Sequence, residues 1–204
     1  MHLAKRGLRV LGIAESFSGR SRSTLAGVVM RKDLRIDGVA LASLTVGGTD
    51  ATEAVRAIIA ALARRVINVV MVSGSVVAWY NILDPELVRE RSGLPVIVVT
   101  YEESEGLEGD IRHHFPGDEG RLRAYRRLGE RTPVDLPTGE RLFMRATGIS
   151  GKDAAGVLRD FTHDGKVPEP VRVARLVARA AMRWQKGSGG LSPGPPGDLS
   201  SPAS

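Results

Sequence analysis

With 204 residues, 42% of them hydrophobic and 25% charged, the chain has the size and composition of one well-buried soluble domain and not of a disordered segment. The absence of cysteine excludes disulfides, thiolate zinc sites and a cysteine nucleophile, so a metal would need carboxylate, histidine or water ligands, which suits magnesium or manganese better than zinc. A formal net charge of +6 favours an anionic partner such as nucleic acid, and no apolar run reaches the length of a membrane span.

The N-terminal segment MHLAKRGLRV has neither the apolar core nor the cleavage site of a signal peptide, and a cytoplasmic location is expected. Three strands, over residues 8–14, 24–31 and 34–46, open the body; the short polar turns between them predict antiparallel neighbours. Thr49 and Asp50 then carry helix N-cap chemistry, Glu53 completes a capping box with Asp50, and Val55, Ile58, Ile59 and Leu62 repeat at helical spacing. Residues 67–73 and 94–101 are short, β-branched and apolar throughout, which predicts central parallel strands covered on both faces. Between them Asp84-Pro85 starts a short helix that Gly93 ends. Helices are predicted from about residue 102 to 114 and from about 118 to 128. A minor hairpin (134–136 and 141–145), a helix over 151–161 and a last helix over 168–184 follow. Three antiparallel strands followed by helices and parallel strands is the element order of an α/β, ribonuclease H-like mixed sheet, and the opening meander argues against a doubly wound nucleotide-binding sheet. Residues 1–186 read as a single domain. Residues 187–204, nearly all Gly, Ser and Pro, lack the apolar side chains that would offset the entropy of ordering and read as a disordered tail.

Several positions invite a functional reading beside a structural one. Asp50 suits an ordinary helix cap, whereas Glu15, at the end of the first strand, has no evident cap or ion-pair role. The loop over residues 16–24 packs small residues around Arg20 and Arg22 and is either a solvated turn or a phosphate-contacting loop. In the last helix Arg172, Arg175, Arg179 and Arg183 share one stripe, a solvated face or a track for a nucleic-acid backbone. Val173, Leu176, Val177, Ala180, Ala181 and Trp184 form the other stripe and are expected in the core. Trp79 follows the second glycine-bearing strand end, where it either packs in the core or stacks on a base. The acidic segment 101–110 and basic segment 121–131 complement helix dipoles or pair with each other or with a second subunit, which leaves a homodimer open. His113 and His114, adjacent on a predicted helix, make poor joint metal ligands.

At GIAESF (12–17), VGGTDATEAV (46–55), VSGSVVAWYNILD (72–84), GLPVIVVTYEE (93–103) and PEPVRVARLVA (168–178), in order and spanning most of residues 7–186, the chain resembles the endonuclease dU family. This is archaeal domain-of-unknown-function family 99, a relative of endonuclease V. The resemblance implies a ribonuclease H-like nuclease in which strand-end carboxylates hold magnesium or manganese that activates water. Members of that family commonly carry aspartate where this chain has Ala14 and Ser73, and histidine where it has Arg175. Glu15 and Asp50 are left as the metal-binding candidates, with Ser73 contributing a neutral hydroxyl to the catalytic set; Glu53, Glu102 or Glu103 are conceivable substitutes. Two functions are therefore expected in competition. One is a metal-dependent endonuclease on DNA carrying deaminated bases such as deoxyuridine. The other is a nuclease-derived protein that holds nucleic acid through Arg20, Arg22, Trp79, Arg172 and Arg175 without cutting it.

Overall fold

The computed structural model describes residues 7–17, 21–63 and 65–187. Arg20 and all but the first residue of the expected tail lie outside these. Three strands, β1 (Arg9–Ser16), β2 (Arg22–Arg31) and β3 (Ile36–Thr45), form the antiparallel meander expected from their short turns, and α1 (Ala51–Ala61) follows. Strand β4 (Val69–Ser73) then pairs parallel to β1. A two-stranded ribbon, β5 (Val76–Val77) and β6 (Asn81–Ile82), leads to α2 (Pro85–Ser92), and β7 (Val96–Thr100) pairs parallel to β4. Asp84 caps α2 by accepting from the Leu87 N–H, and Gly93 ends it in the left-handed conformation (φ 71°) that lacks a Cβ penalty. The chain continues through α3 (Glu108–His114), α4 (Glu119–Arg127), β8 (Thr132–Asp135), β9 (Arg141–Thr147), α5 (Gly151–Asp160) and α6 (Glu169–Gly187). The sheet has seven strands in the order β3-β2-β1-β4-β7-β9-β8, with α1 and α2 on one face and α5 and α6 on the other. Among the described residues no helix is long and apolar enough to cross a membrane.

Three expectations are corrected by the tertiary structure. The hairpin is not minor, because β9 pairs antiparallel along β7 and so brings β8 and β9 into the main sheet, with Val134, Leu142 and Met144 buried against α5. The helix predicted from about residue 102 begins only at Glu108. The carbonyls of Tyr101, Glu102 and Ser104 are taken by distant cations, Lys166 for the first and Arg131 for the other two, and Gly106 adopts φ 108°. Those carbonyls are thus withdrawn from a helical ladder. In α6 the residues that face the sheet are Val171, Ala174 and Ala178, whereas Leu176 and Trp184 are 50% and 74% exposed. The helix lies so close to β1 that a methyl group on Gly12 would overlap the Pro170 backbone carbonyl. Of the stripe expected in the core, Val173 and Val177 are half-buried and pack against it, whereas Leu176, Ala180 and Trp184 turn outward.

Candidate functional site

The carboxyl ends of the parallel strands β1, β4 and β7 sit side by side, with Ile13 opposite Val72 and Ser73 opposite Val99. Side chains alternate between faces along a strand, so Ala14, Ser73 and Tyr101 share the face covered by α6, as do Val10, Met71 and Val99. Onto this row α6 lowers Arg175, whose Nη2 donates to the Ser73 Oγ at 3.1 Å and whose guanidinium carbon lies 5.5 Å from the Tyr101 ring centroid. Among the described residues Arg175 forms no ion pair. The Tyr101 hydroxyl is buried without a well-formed hydrogen bond. Burial raises its pKa above the ordinary phenol value, with Ser73 and Arg175 pulling weakly the other way. The strand ends beneath α6 therefore gather a methyl group, two hydroxyls and a guanidinium.

Glu15 and Asp50 lie elsewhere. As the neighbour of Ala14 on β1, Glu15 points to the α1 face, where its Oε2 accepts from the Ser23 hydroxyl at 2.8 Å and its Oε1 from the Ala78 N–H at 2.9 Å. Asp50 precedes α1, but its side chain makes no capping bond to that helix, and Glu53 pairs with Arg56 instead of closing a capping box. The Asp50 carboxylate turns back to accept from the Thr45 N–H (3.0 Å), the Thr45 hydroxyl (2.8 Å) and the Asn81 amide (2.6 Å). Burial pushes the Asp50 pKa up, but donation from the Thr45 backbone and from Asn81 outweighs it and holds the carboxyl below the ordinary value of 3.8. The capping of α1 falls to Asn81, fully buried, whose side-chain oxygen accepts from the Ala51 N–H at 3.0 Å.

A divalent cation requires several converging anionic oxygens. Among the described residues no group of three or more His, Asp or Glu side chains comes together to hold a metal ion. On the α6 face Ser73 is met by a guanidinium, and on the α1 face Glu15 and Asp50 accept from backbone and amide donors. The donor set does not fit magnesium or manganese.

Of the cationic candidates, Arg22 donates to the Ser43 and Thr45 hydroxyls (2.9 and 3.1 Å) near the end of β3. Arg172 is exposed and neutralised by Glu169 at 2.7 Å. Arg175 is the one that meets Ser73. Trp79 is 47% exposed, on a turn between β5 and β6. A cleft of about 1190 Å³ opens beyond Ser73, bordered by Gly74, Ser75, Thr100, Tyr125, Arg131 and Phe143. Sequence reasoning missed Arg121. In a run of arginines that reads as dipole complementation, this one is 7% exposed and donates to the carbonyls of Gly47, Gly48 and Tyr80. Its ion pair with Asp118 was the only local signal, three residues away.

Comparison with known proteins places this geometry. A family model described as Endonuclease dU matches residues 6–182. A UPF0215 protein of Pyrobaculum calidifontis is 41% identical over 176 residues, covering 85% of this chain and 97% of its own. A UPF0215 protein of Thermococcus kodakarensis is 31% identical over 186 residues, covering 87% of this chain and 94% of its own. Among solved structures, a protein of unknown function from Archaeoglobus fulgidus superposes with a TM-score of 0.73 at 24% identity, covering 85% of this chain and 98% of that one. Ciona intestinalis endonuclease V, solved with a 24mer DNA containing an inosine followed by a ribo-adenosine, superposes at 0.62 with 15% identity, covering 88% of each chain. The mixed sheet is thus the ribonuclease H-like fold expected from the element order.

Proposed function

The chain belongs to the endonuclease dU family, and we propose that it acts there as a nucleic-acid-binding member that holds a backbone phosphate where a cutting relative would hold a metal. The observation that carries this reading is the contact between Arg175 and Ser73 at the ends of β1 and β4. A guanidinium free of carboxylate, beside a serine hydroxyl and the buried Tyr101 hydroxyl, is a donor set for an anionic oxygen. A phosphate seated there would take the charge-assisted bond from Arg175, and its neighbours along the strand would extend toward Arg22, whose hydroxyl partners are themselves common phosphate ligands. Charge-assisted bonds of this kind contribute roughly 1.5–3 kcal/mol each. The nucleic acid we infer is DNA, with deoxyuridine the first base to test because of the family's name.

The experiment uses labelled single- and double-stranded DNA carrying one deoxyuridine or deoxyinosine, with magnesium, manganese or chelator. Expected are salt-sensitive binding that is equal with and without metal, no strand cleavage, and affinity about tenfold weaker in Arg175→Gln. Metal-dependent cutting that disappears in Glu15→Gln would overturn the reading in favour of a rebuilt nuclease centred on Glu15 and Asp50.

A further inference from the structure

Between β5 and β6 three consecutive residues that are not glycine, Ala78, Trp79 and Tyr80, have φ of 41°, 60° and 60°. Each such residue costs on the order of 1–2 kcal/mol relative to an ordinary conformation, so the surroundings must hold the turn in place. They do so from every side. Glu15 accepts from the Ala78 N–H, and the Gly47 N–H donates to the Ala78 carbonyl at 2.7 Å. The buried Arg121 joins the Tyr80 carbonyl to those of Gly47 and Gly48 and lies 4.0 Å over the Phe115 ring. Asn81, the next residue, is pinned by Asp50 and by the Thr45 carbonyl. The two acids left from the expected metal site are thus both employed at the ends of this one turn.

What the turn presents is an aromatic surface. The half-exposed Trp79 ring lies 5.4 Å from Tyr80 and 4.7 Å from His114, and Tyr80 packs in turn on Phe115 at 5.9 Å. A tryptophan turned partly outward on a backbone held this tightly is neither core nor a mobile surface residue, and a rigid ring costs little entropy when a planar ligand stacks on it. Glu15, which ties the turn down, follows Ala14 on β1 and leaves the sheet on the face opposite the Arg175–Ser73 contact, so the turn and that contact flank the same strand ends from two sides. The chemistry that combines a phosphate donor set with an aromatic surface at the same strand ends is that of a nucleotide unit with its base unstacked. We propose that Trp79, supported by His114 and Tyr80, is the stacking platform for an unpaired nucleobase, and that Glu15, Asp50 and Arg121 are positioning residues that keep the turn in its left-handed form. This rests on the nucleic-acid reading above and names the part of the ligand that the phosphate contact does not.

Trp184→Phe in the full chain leaves Trp79 as the single tryptophan. Its fluorescence is followed at low salt while a twelve-residue oligothymidine, or an abasic strand of equal length, is added. Quenching by oligothymidine and not by the abasic strand is expected, with Trp79→Ala lowering oligothymidine affinity about tenfold and leaving abasic affinity and the salt slope unchanged. Glu15→Ala should abolish the quenching with the salt slope retained, and Glu15→Gln, which keeps the acceptor for Ala78, should restore it. Equal affinity for both strands with unchanged Trp79 emission overturns the platform while leaving phosphate binding intact. Failure of either strand to bind at low salt overturns the nucleic-acid reading itself, and the platform with it.

Discussion

The two faces of the sheet at its functional edge have opposite chemistry. Under α6, where Ala14, Ser73 and Tyr101 align, Arg175 brings a positive charge that no carboxylate among the described residues pairs with. Under α1, Glu15 and Asp50 accept hydrogen bonds from Ser23, Ala78, Thr45 and Asn81. One face gathers hydroxyls and a guanidinium, and the other gathers acids whose oxygens already accept hydrogen bonds. Glu15 cannot act on the face of its neighbour Ala14, because one step along a strand moves the side chain through the sheet to the other side.

The sharpest way to break this comparison is at Arg121, which belongs wholly to the α1 side. Arg121→Met should cost about 3 kcal/mol of stability in denaturant titration, because it leaves three part-buried carbonyls and Asp118 without the buried guanidinium they share. A loss below about 0.5 kcal/mol would mean that the turn holds itself.

At Glu15 the contrast between two substitutions separates a clamp from a metal ligand. Glu15→Ala should destabilise by roughly 1–3 kcal/mol, since the Ala78 N–H loses its acceptor, whereas Glu15→Gln should cost under about 1 kcal/mol. Equal thermal stability of the two variants would show that the hydrogen bond to Ala78 does not matter to the fold.

On the α6 side, Ser73→Asp supplies the acid that the resemblance leads one to expect there but places it against Arg175. The new pair should leave stability within about 1 kcal/mol of the parent and weaken DNA binding about tenfold by neutralising the guanidinium. Tight manganese binding by Ser73→Asp alone, read by calorimetry, would mean that Arg175 swings away and that the cationic character of this face is not built in.

The smallest expected effect is the acid response of Asp50. Its folded pKa lies below 3.8, so its contribution is complete above that value and is lost as pH falls from there through the depressed folded pKa. The melting temperature of the parent should fall more steeply below about pH 4 than that of Asp50→Asn. Parallel curves would assign the acid sensitivity to other carboxylates, such as Asp118, which the Arg121 backbone N–H and side chain hold low.

The order β1, β2, β3, α1, β4, α2, β7 could be read directly from periodicity and turn chemistry, as could the parallel pairing of β4 and β7, whereas the short β5–β6 ribbon was not foreseen. Uniformly apolar β-branched runs have no stable placement except the centre of a covered sheet. The cap of α2 by Asp84 and its end at Gly93 were local and equally legible. The altered positions Ala14, Ser73 and Arg175 were visible as residues, but not that the last two touch across 102 positions of chain. The partner of β9, the inward face of α6 and the true cap of α1 were not legible, since each depends on a neighbour distant in sequence: β7, Gly12 and Asn81. The same holds for Asp50, which has the sequence of a helix cap and the bonds of a loop anchor. Local sequence determined which segments are strands and helices because propensity and periodicity act within a few residues. Tertiary structure decided which donors each carboxylate meets, because a buried acid takes the hydrogen bonds its surroundings offer, and those surroundings are assembled from four separate elements of the chain.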